Sequence, residues 1–242
     1  MKILITGHKG FVGSNLKKYL EKQKHQIIGI DIQEEKNVLT AELPEVDVVI
    51  HLAGKGGVRE SLQNPKLYWD NNVIATQRIL NHYKDTRVLY ASSSSQYEPW
   101  LNPYAASKHI IESIPHSNSV AMRFHTIYSD INRPNMFFDL LLQGKLEYVT
   151  EHKRDFVHVE DVCSAIEILI HNNYVGAIDI GSGESIYVKD IAPNIPLKQG
   201  SDLERMNSKA NIDLIKSMGW QPKWSVQKFL ETHGFDVKLQ VY

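Results

Sequence analysis

Lys2-Ile-Leu-Ile-Thr6 runs without a break into Gly7-His-Lys-Gly10-Phe-Val-Gly13. The first five residues are an apolar run of strand length, and from Gly13 to Lys24 the apolar residues recur at helical spacing. A glycine-rich turn between a first strand and a first helix lets backbone N–H groups approach a pyrophosphate at the positive end of the helix. Asp31 closes the next apolar run, at about the 20-residue distance where a carboxylate holds the adenosine ribose hydroxyls. Strand, glycine turn, helix and acid in that order predict a βαβ unit that binds a dinucleotide. Asp31 favours NAD over NADP, since a carboxylate repels a 2′-phosphate. Lys9 could reach such a phosphate but reads better as a solvated loop lysine.

Working outward, short apolar runs alternate with amphipathic segments of helix length, the pattern of a parallel sheet. Strands are predicted at Lys2–Thr6, Gln26–Ile30, Val46–Leu52, Arg87–Ala91 and Val120–Phe124. Helices are predicted at Gly13–Lys24, Pro65–Tyr83, Tyr104–Ser113, Asn135–Gln143 and Val159–Asn172. The alternation fades near Pro134, and the remainder includes Ala177–Ile180, Lys189–Ile191 and a last helix near Ser225–Thr232. The expected fold is α/β: a Rossmann-type doubly wound parallel sheet with a small mixed α/β C-terminal substrate lobe. The expected division is an NAD-binding domain over 1–134 and a substrate lobe over 135–242, with some crossing of the chain between them.

The bulk composition narrows the function. At 42% hydrophobic and 23% charged residues the chain has the balance of a soluble globular protein. Its net charge of −1 and the absence of a long basic run argue against nucleic acid as a partner. No run of about 18 apolar residues suggests a membrane span, and the N-terminus enters a strand at once. The lone cysteine, Cys163, suits a reducing cytoplasm and reads as core packing. No cysteine–histidine spacing suggests a structural zinc site, so no metal is expected.

Tyr104-Ala-Ala-Ser-Lys108 carries the chemistry. Residues i and i+4 share a helix face, so a phenol and an ammonium point into the same space. The positive charge is expected to lower the Tyr104 pKa from about 10 and make a base able to deprotonate an alcohol. Asp47-Val-Val-Ile-His-Leu-Ala-Gly54 ends a buried strand where Leu52, Ala53 and Gly54 could line the cofactor. His51, inside that strand, reads as a satisfied core histidine.

Together these pieces resemble the extended short-chain dehydrogenase/reductase family of sugar-nucleotide epimerases and dehydratases. The match rests on Gly7/Gly10/Gly13, His51-Leu-Ala-Gly54, Asn71-Asn-Val73, Tyr90-Ala-Ser-Ser-Ser-Ser95, Tyr104–Lys108 and Arg154-Asp-Phe-Val-His-Val-Glu-Asp161, with Ile180-Gly-Ser-Gly183 and Gly219-Trp220 following. The resemblance implies a catalytic Ser93, a base in Tyr104, and in Lys108 its activator and a ligand of the nicotinamide ribose. It implies further cofactor contacts at Phe11, Val12, Ile32, Asn37, Val38, Asn72 and Phe124. Arg154 matches an arginine that contacts the nucleotide diphosphate, suited to bidentate phosphate geometry.

Within that family, several segments look most similar to UDP-glucuronate 4-epimerases. They are Gly57-Val-Arg-Glu-Ser-Leu-Gln-Asn-Pro65, which places Arg59 on a substrate-side loop, the four-serine run, and Arg123-Phe-His-Thr-Ile-Tyr128. Arg133 follows Thr126 by seven positions, where those enzymes place an arginine against a carboxylate. By that match Ser94, Ser95, Thr126 and Arg133 surround the C6 carboxylate of a UDP-sugar. The implied activity is C4 epimerisation of UDP-glucuronate and UDP-galacturonate by a homodimer. Rival readings are a 4-epimerase of a neutral UDP-sugar and an idle NAD- or nucleotide-binding member. The chain departs from the family pattern in three places: Ser93 and Tyr104 are only 11 positions apart, Glu98 stands where glycine is usual, and Ser129-Asp130 replaces Gly-Pro.

Overall fold

The computed structural model describes residues 1–242. In chain order its elements are β1 (Lys2–Thr6), α1 (Phe11–Lys22), β2 (Gln26–Ile30), β3 (Val48–His51), α2 (Val58–Gln63), α3 (Pro65–Tyr68), α4 (Ala75–His82), β4 (Arg87–Ser93) and α5 (Pro103–Glu112). There follow β5 (Ser119–Phe124), β6 (Thr126–Tyr128), α6 (Phe137–Leu142), β7 (Lys153–Arg154), β8 (Phe156–His158), α7 (Val159–Ile170), β9 (Gly176–Ile180), β10 (Ile186–Tyr187), α8 (Val188–Ile191), α9 (Asp213–Ser217) and α10 (Val226–Thr232).

Period-two alternation explains why the strands stack into one buried sheet. Ile3 and Ile5 face one core and Leu4 the other; Val48 and Ile50 oppose Val49 in the same way, and Val120 and Met122 oppose Ala121. The strands pair in parallel in the order β2-β1-β3-β4-β5-β9. The apolar stripe of α1 (Leu16, Leu20) and that of α7 (Val162, Ile166, Leu169) cover one face, and α4 (Ile79, Leu80) with α5 (Ile111) covers the other. The sheet is therefore doubly wound. The chain goes from β1 to β2 on one side and to β3 on the other, which opens a crevice at the C-terminal strand ends.

The expected Pro65–Tyr83 helix is interrupted. Trp69–Ile74 forms a π-helical turn between α3 and α4, a widening that sequence periodicity does not show. A third core of Tyr128, Phe138, Phe156, Ile186 and Phe229 lies under the smaller lobe. Three elements from beyond residue 134, α7, β9 and α9, return to the large sheet or its core.

Two carboxylates hold the C-terminal segment in place. Asp155, fully buried, accepts from Ser182 N (2.6 Å), Ser182 Oγ (2.9 Å), Gly183 N (2.9 Å) and Ala210 N (3.0 Å). Asp161 on the first turn of α7 accepts from Lys223 N (2.9 Å) and Trp224 N (3.0 Å). Loss of a carboxylate that satisfies several buried donors is expensive. Asp155→Ala is expected to lower the unfolding free energy by more than about 3 kcal/mol in urea titration; a loss below about 1 kcal/mol would show that the lobe is held by other means.

Candidate active site

At the C-terminal ends of β1, β3, β4 and β5 lies a cleft of about 450 Å³. Gly7, Gly10, Phe11, Val12 and Gly13 form one end of its wall, Leu52 and Gly54 border the next part, and Ser93, Tyr104, Lys108, Phe124, Thr126 and Arg133 lie further along it. Residues that the sequence placed in three separate motifs thus share one space.

The glycine end is built by steric necessity. Gly7 takes a φ of +74°, and a Cβ there would come within 2.7 Å of Ala53 N. A Cβ on Gly13 would lie 2.2 Å from the Gly7 carbonyl oxygen. Only glycine allows β1 to turn into α1 this tightly. Gly10 gives α1 no side-chain cap, and the first turn carries no acidic residue. Its leading N–H groups can therefore serve an anion. Asp31 is buried, and its two oxygens accept from Lys9 N (2.8 Å) and Gln33 N (2.9 Å), which fixes the carboxylate at the end of β2. Lys9 is occupied elsewhere, with its ammonium 2.9 Å from Glu34.

This glycine turn, uncapped helix start and fixed acid fit a dinucleotide with free ribose hydroxyls. The model of the NAD dependent epimerase/dehydratase family matches residues 3–181. The chain belongs to that family. NAD is accordingly its cofactor. Protein CapI of Staphylococcus aureus is 31% identical, across 92% of this chain and 87% of its own length. A probable UDP-glucuronate 4-epimerase of Rhizobium meliloti is 29% identical, across 71% and 68%. Among solved structures, the UDP-glucuronic acid 4-epimerase of Bacillus cereus, in complex with UDP-glucuronic acid and NAD, superposes with a TM-score of 0.81 at 25% identity, covering 96% of this chain and 98% of that one.

Within the family's cleft the proton chemistry differs from the simple expectation in one respect. Tyr104 and Lys108 share the inner face of α5, but the Lys108 ammonium stands 6.0 Å from the Tyr104 ring centre and donates to the Ala91 carbonyl at 2.6 Å. Burial pushes the Tyr104 phenol above its ordinary value. The Ser93 hydroxyl and the Arg133 charge pull it the other way. The expected net lowering of the Tyr104 phenol is therefore not found: desolvation outweighs the charges around it. Burial also brings Lys108 down to about 8, against the pull of Glu112. His51 lies 2.6 Å from Thr6 Oγ1 and 3.2 Å from Thr76 Oγ1, and burial, then the Lys108 charge, brings it to about 3. It is a neutral core residue.

Other expected site residues lie outside the lining. Asn72, in the π-helical turn, accepts from Lys55 N (2.8 Å) and donates to the Lys55 carbonyl (3.1 Å) and to Ser107 (2.9 Å). It braces the loop after β3 from behind. Ala53 backs Gly7 through its main chain. Ile32 is exposed, Val38 is buried in the second core, and Asn37 borders a separate hollow beside β2. Ser94 and Ser95 sit in a tight 3₁₀ turn: Ser95 N donates to Ser93 Oγ at 3.1 Å, and the Ser94 carbonyl accepts from Arg205 at 2.7 Å. Arg154 is largely buried, with donors on the Arg205 and Met206 carbonyls and Glu204 at 3.7 Å. Arg59 is exposed and reaches Tyr148 and Glu204.

The short Ser93–Tyr104 connection is closed from the other lobe. Arg205 reaches Glu98 at 3.4 Å as well as the Ser94 carbonyl, and Asn102 caps α5 while donating to the Leu203 carbonyl at 2.9 Å. The sequence reading missed His125, which lines the cleft with both ring nitrogens unpartnered and Asp179 at 3.7 Å. Its only signal was a polar residue between Phe124 and Thr126. Asn132, Met136, Phe137 and Phe138 also line the cleft.

The Lys108 environment sets a pH test. Its folded pKa of about 8 lies below its ordinary 10.5, so between these values the unfolded chain binds more protons and this group makes stability rise with pH. The melting temperature of the wild type relative to Lys108→Met is expected to climb from pH 7.5 to 10; a flat difference would contradict a desolvated ammonium.

Proposed function

We propose that the chain is a 4-epimerase of UDP-glucuronate and UDP-galacturonate, with residues 1–134 holding the cofactor and 135–242 the nucleotide. The observation that carries this reading is the placing of Arg133 in the same cleft as Ser93 and Tyr104, close enough for its charge to act on the Tyr104 phenol. A cation there suits a substrate with a carboxylate beside the reacting carbon.

NAD would be held by the Gly7–Gly13 turn and Asp31 and would supply a reversible hydride acceptor beside C4. Tyr104 takes the proton of the 4-hydroxyl and gives it back. Ser93 holds the same oxygen, with its hydroxyl fixed by the Ser95 N–H. Lys108 stays behind the phenol on the Ala91 carbonyl, where it can turn to a ribose. Burial holds the phenol above its ordinary value, so an added positive charge would bring it into range and would couple proton removal to cofactor binding.

Thr126 and Arg133 are the substrate-side pair. A uronic acid oxidised at C4 is a β-keto acid, which loses CO₂ once its carboxylate turns perpendicular to the carbonyl. A guanidinium fork and a hydroxyl can hold it out of that geometry. Ser129 N donates to Asn132 Oδ1 at 2.8 Å, so the turn before Arg133 is pinned without the usual Gly-Pro. Arg154, desolvated and backed by carbonyl oxygens, is the cation for the diphosphate.

Incubation with UDP-glucuronate is expected to give UDP-galacturonate. Tyr104→Phe should cut turnover by about 10³-fold with NAD retained. Arg133→Ala should lose the acidic substrate selectively, by about 10²-fold or more in kcat/KM. No inversion at C4 by the NAD-loaded protein would contradict the activity, and unchanged preference in Arg133→Ala would point to a neutral UDP-sugar.

A further inference from the structure

At the edge of the sheet remote from the cleft, three ligand-bearing side chains converge from two elements. Glu167 and His171 are one turn apart at the end of α7 and so share a face. His25 stands in the turn that leads from α1 into β2, at the N-terminal end of that strand. His25 Nε2 is 3.5 Å and His171 Nε2 3.3 Å from the same Glu167 oxygen, Oε1. No two of the three groups' ligand atoms are more than 4.8 Å apart.

These separations match a coordination sphere. Bonds of about 2.0–2.1 Å in a tetrahedron hold ligand atoms roughly 3.4 Å from one another. The second oxygen, Glu167 Oε2, is buried and has no hydrogen-bond partner. Nε2 is the His25 nitrogen turned to Glu167, while Nδ1 lies on the other side of the ring. His171 is more than half exposed, so its ring can adjust.

We propose that His25, Glu167 and His171 bind a divalent transition-metal ion of the zinc class, with the fourth position open to solvent. Two imidazoles and a carboxylate form a borderline N₂O donor set, which suits Zn²⁺, Co²⁺ or Ni²⁺. Mg²⁺ and Ca²⁺ want more oxygen ligands than the cluster offers. The ion would tie the end of α7 to the start of β2. Its role is to hold these elements together, since the hydride-transfer cleft opens at the opposite ends of the strands.

Co²⁺ titration of the NAD-loaded full chain tests this, because tetrahedral Co²⁺ has intense visible bands and octahedral Co²⁺ does not. One equivalent should bind with the tetrahedral spectrum and be displaced by Zn²⁺. Zn²⁺ at 100-fold its Kd should raise the melting temperature by about 5–10 °C. His171→Ala, at an exposed position, should remove both effects while leaving turnover unchanged; Glu167→Gln should weaken the spectrum at least tenfold. A saturating spectrum that survives in His171→Ala, or only weak octahedral bands in the wild type, would overturn the site.

Discussion

Everything in the cleft depends on how closely the backbone turns after β1. With Gly13 against the Gly7 carbonyl and Gly7 against the Ala53 nitrogen, the ends of β1, α1 and β3 meet main chain to main chain. A single methyl group at either position would need space that is already filled. That contact places the uncapped start of α1 at the topological switch point of the sheet, where a pyrophosphate finds N–H groups and a favourable dipole. It also brings Leu52 and Gly54 beside the glycine turn, so one constraint shapes both walls of the cofactor's seat.

The reactive residues are governed by water exclusion more than by charge. Tyr104 and Lys108 are each driven towards the neutral form by burial. Burial thus makes the phenol a weaker acid and loosens the lysine's hold on its proton, and cofactor and substrate tune both. This explains why the pairing of a phenol and an ammonium at i, i+4 was read correctly for position and incorrectly for its effect on the phenol. Spacing fixes which face a residue shares; it says nothing of the 6.0 Å between groups or of what else the ammonium bonds.

The large sheet was legible because its strands are buried on both faces and their apolar runs are bounded by glycines and charges. The Gly7–Gly13 turn, Ser93, Tyr104, Lys108, Thr126 and Arg133, each marked by a motif, line one cleft. Elements of two or three residues such as β6, β7 and β10 carry too little periodicity to find. The π-helical turn at Asn72 was hidden because its side-chain spacing passes for α-helix, and the amide proved to brace Lys55 rather than face the cleft. His125 was overlooked because one polar residue at a strand end has many ordinary uses. The Glu98–Arg205 contact joins residues 107 positions apart, a distance at which pairing depends on the finished fold.

That contact also accounts for two of the departures in the chain, the short segment and Glu98. The segment between Ser93 and Tyr104 is short, and Glu98, Arg205, Asn102 and Leu203 lock it to the smaller lobe, so the serine turn is held although the usual loop is lacking. In the proposed reaction a hydride leaves and returns to one carbon while Arg133 keeps the neighbouring carboxylate in place. The most direct measurement uses UDP-glucuronate deuterated at C4. Product UDP-galacturonate should keep the deuterium at C4, with no CO₂ released; loss of label to solvent, or release of CO₂ with formation of a UDP-pentose, would contradict it.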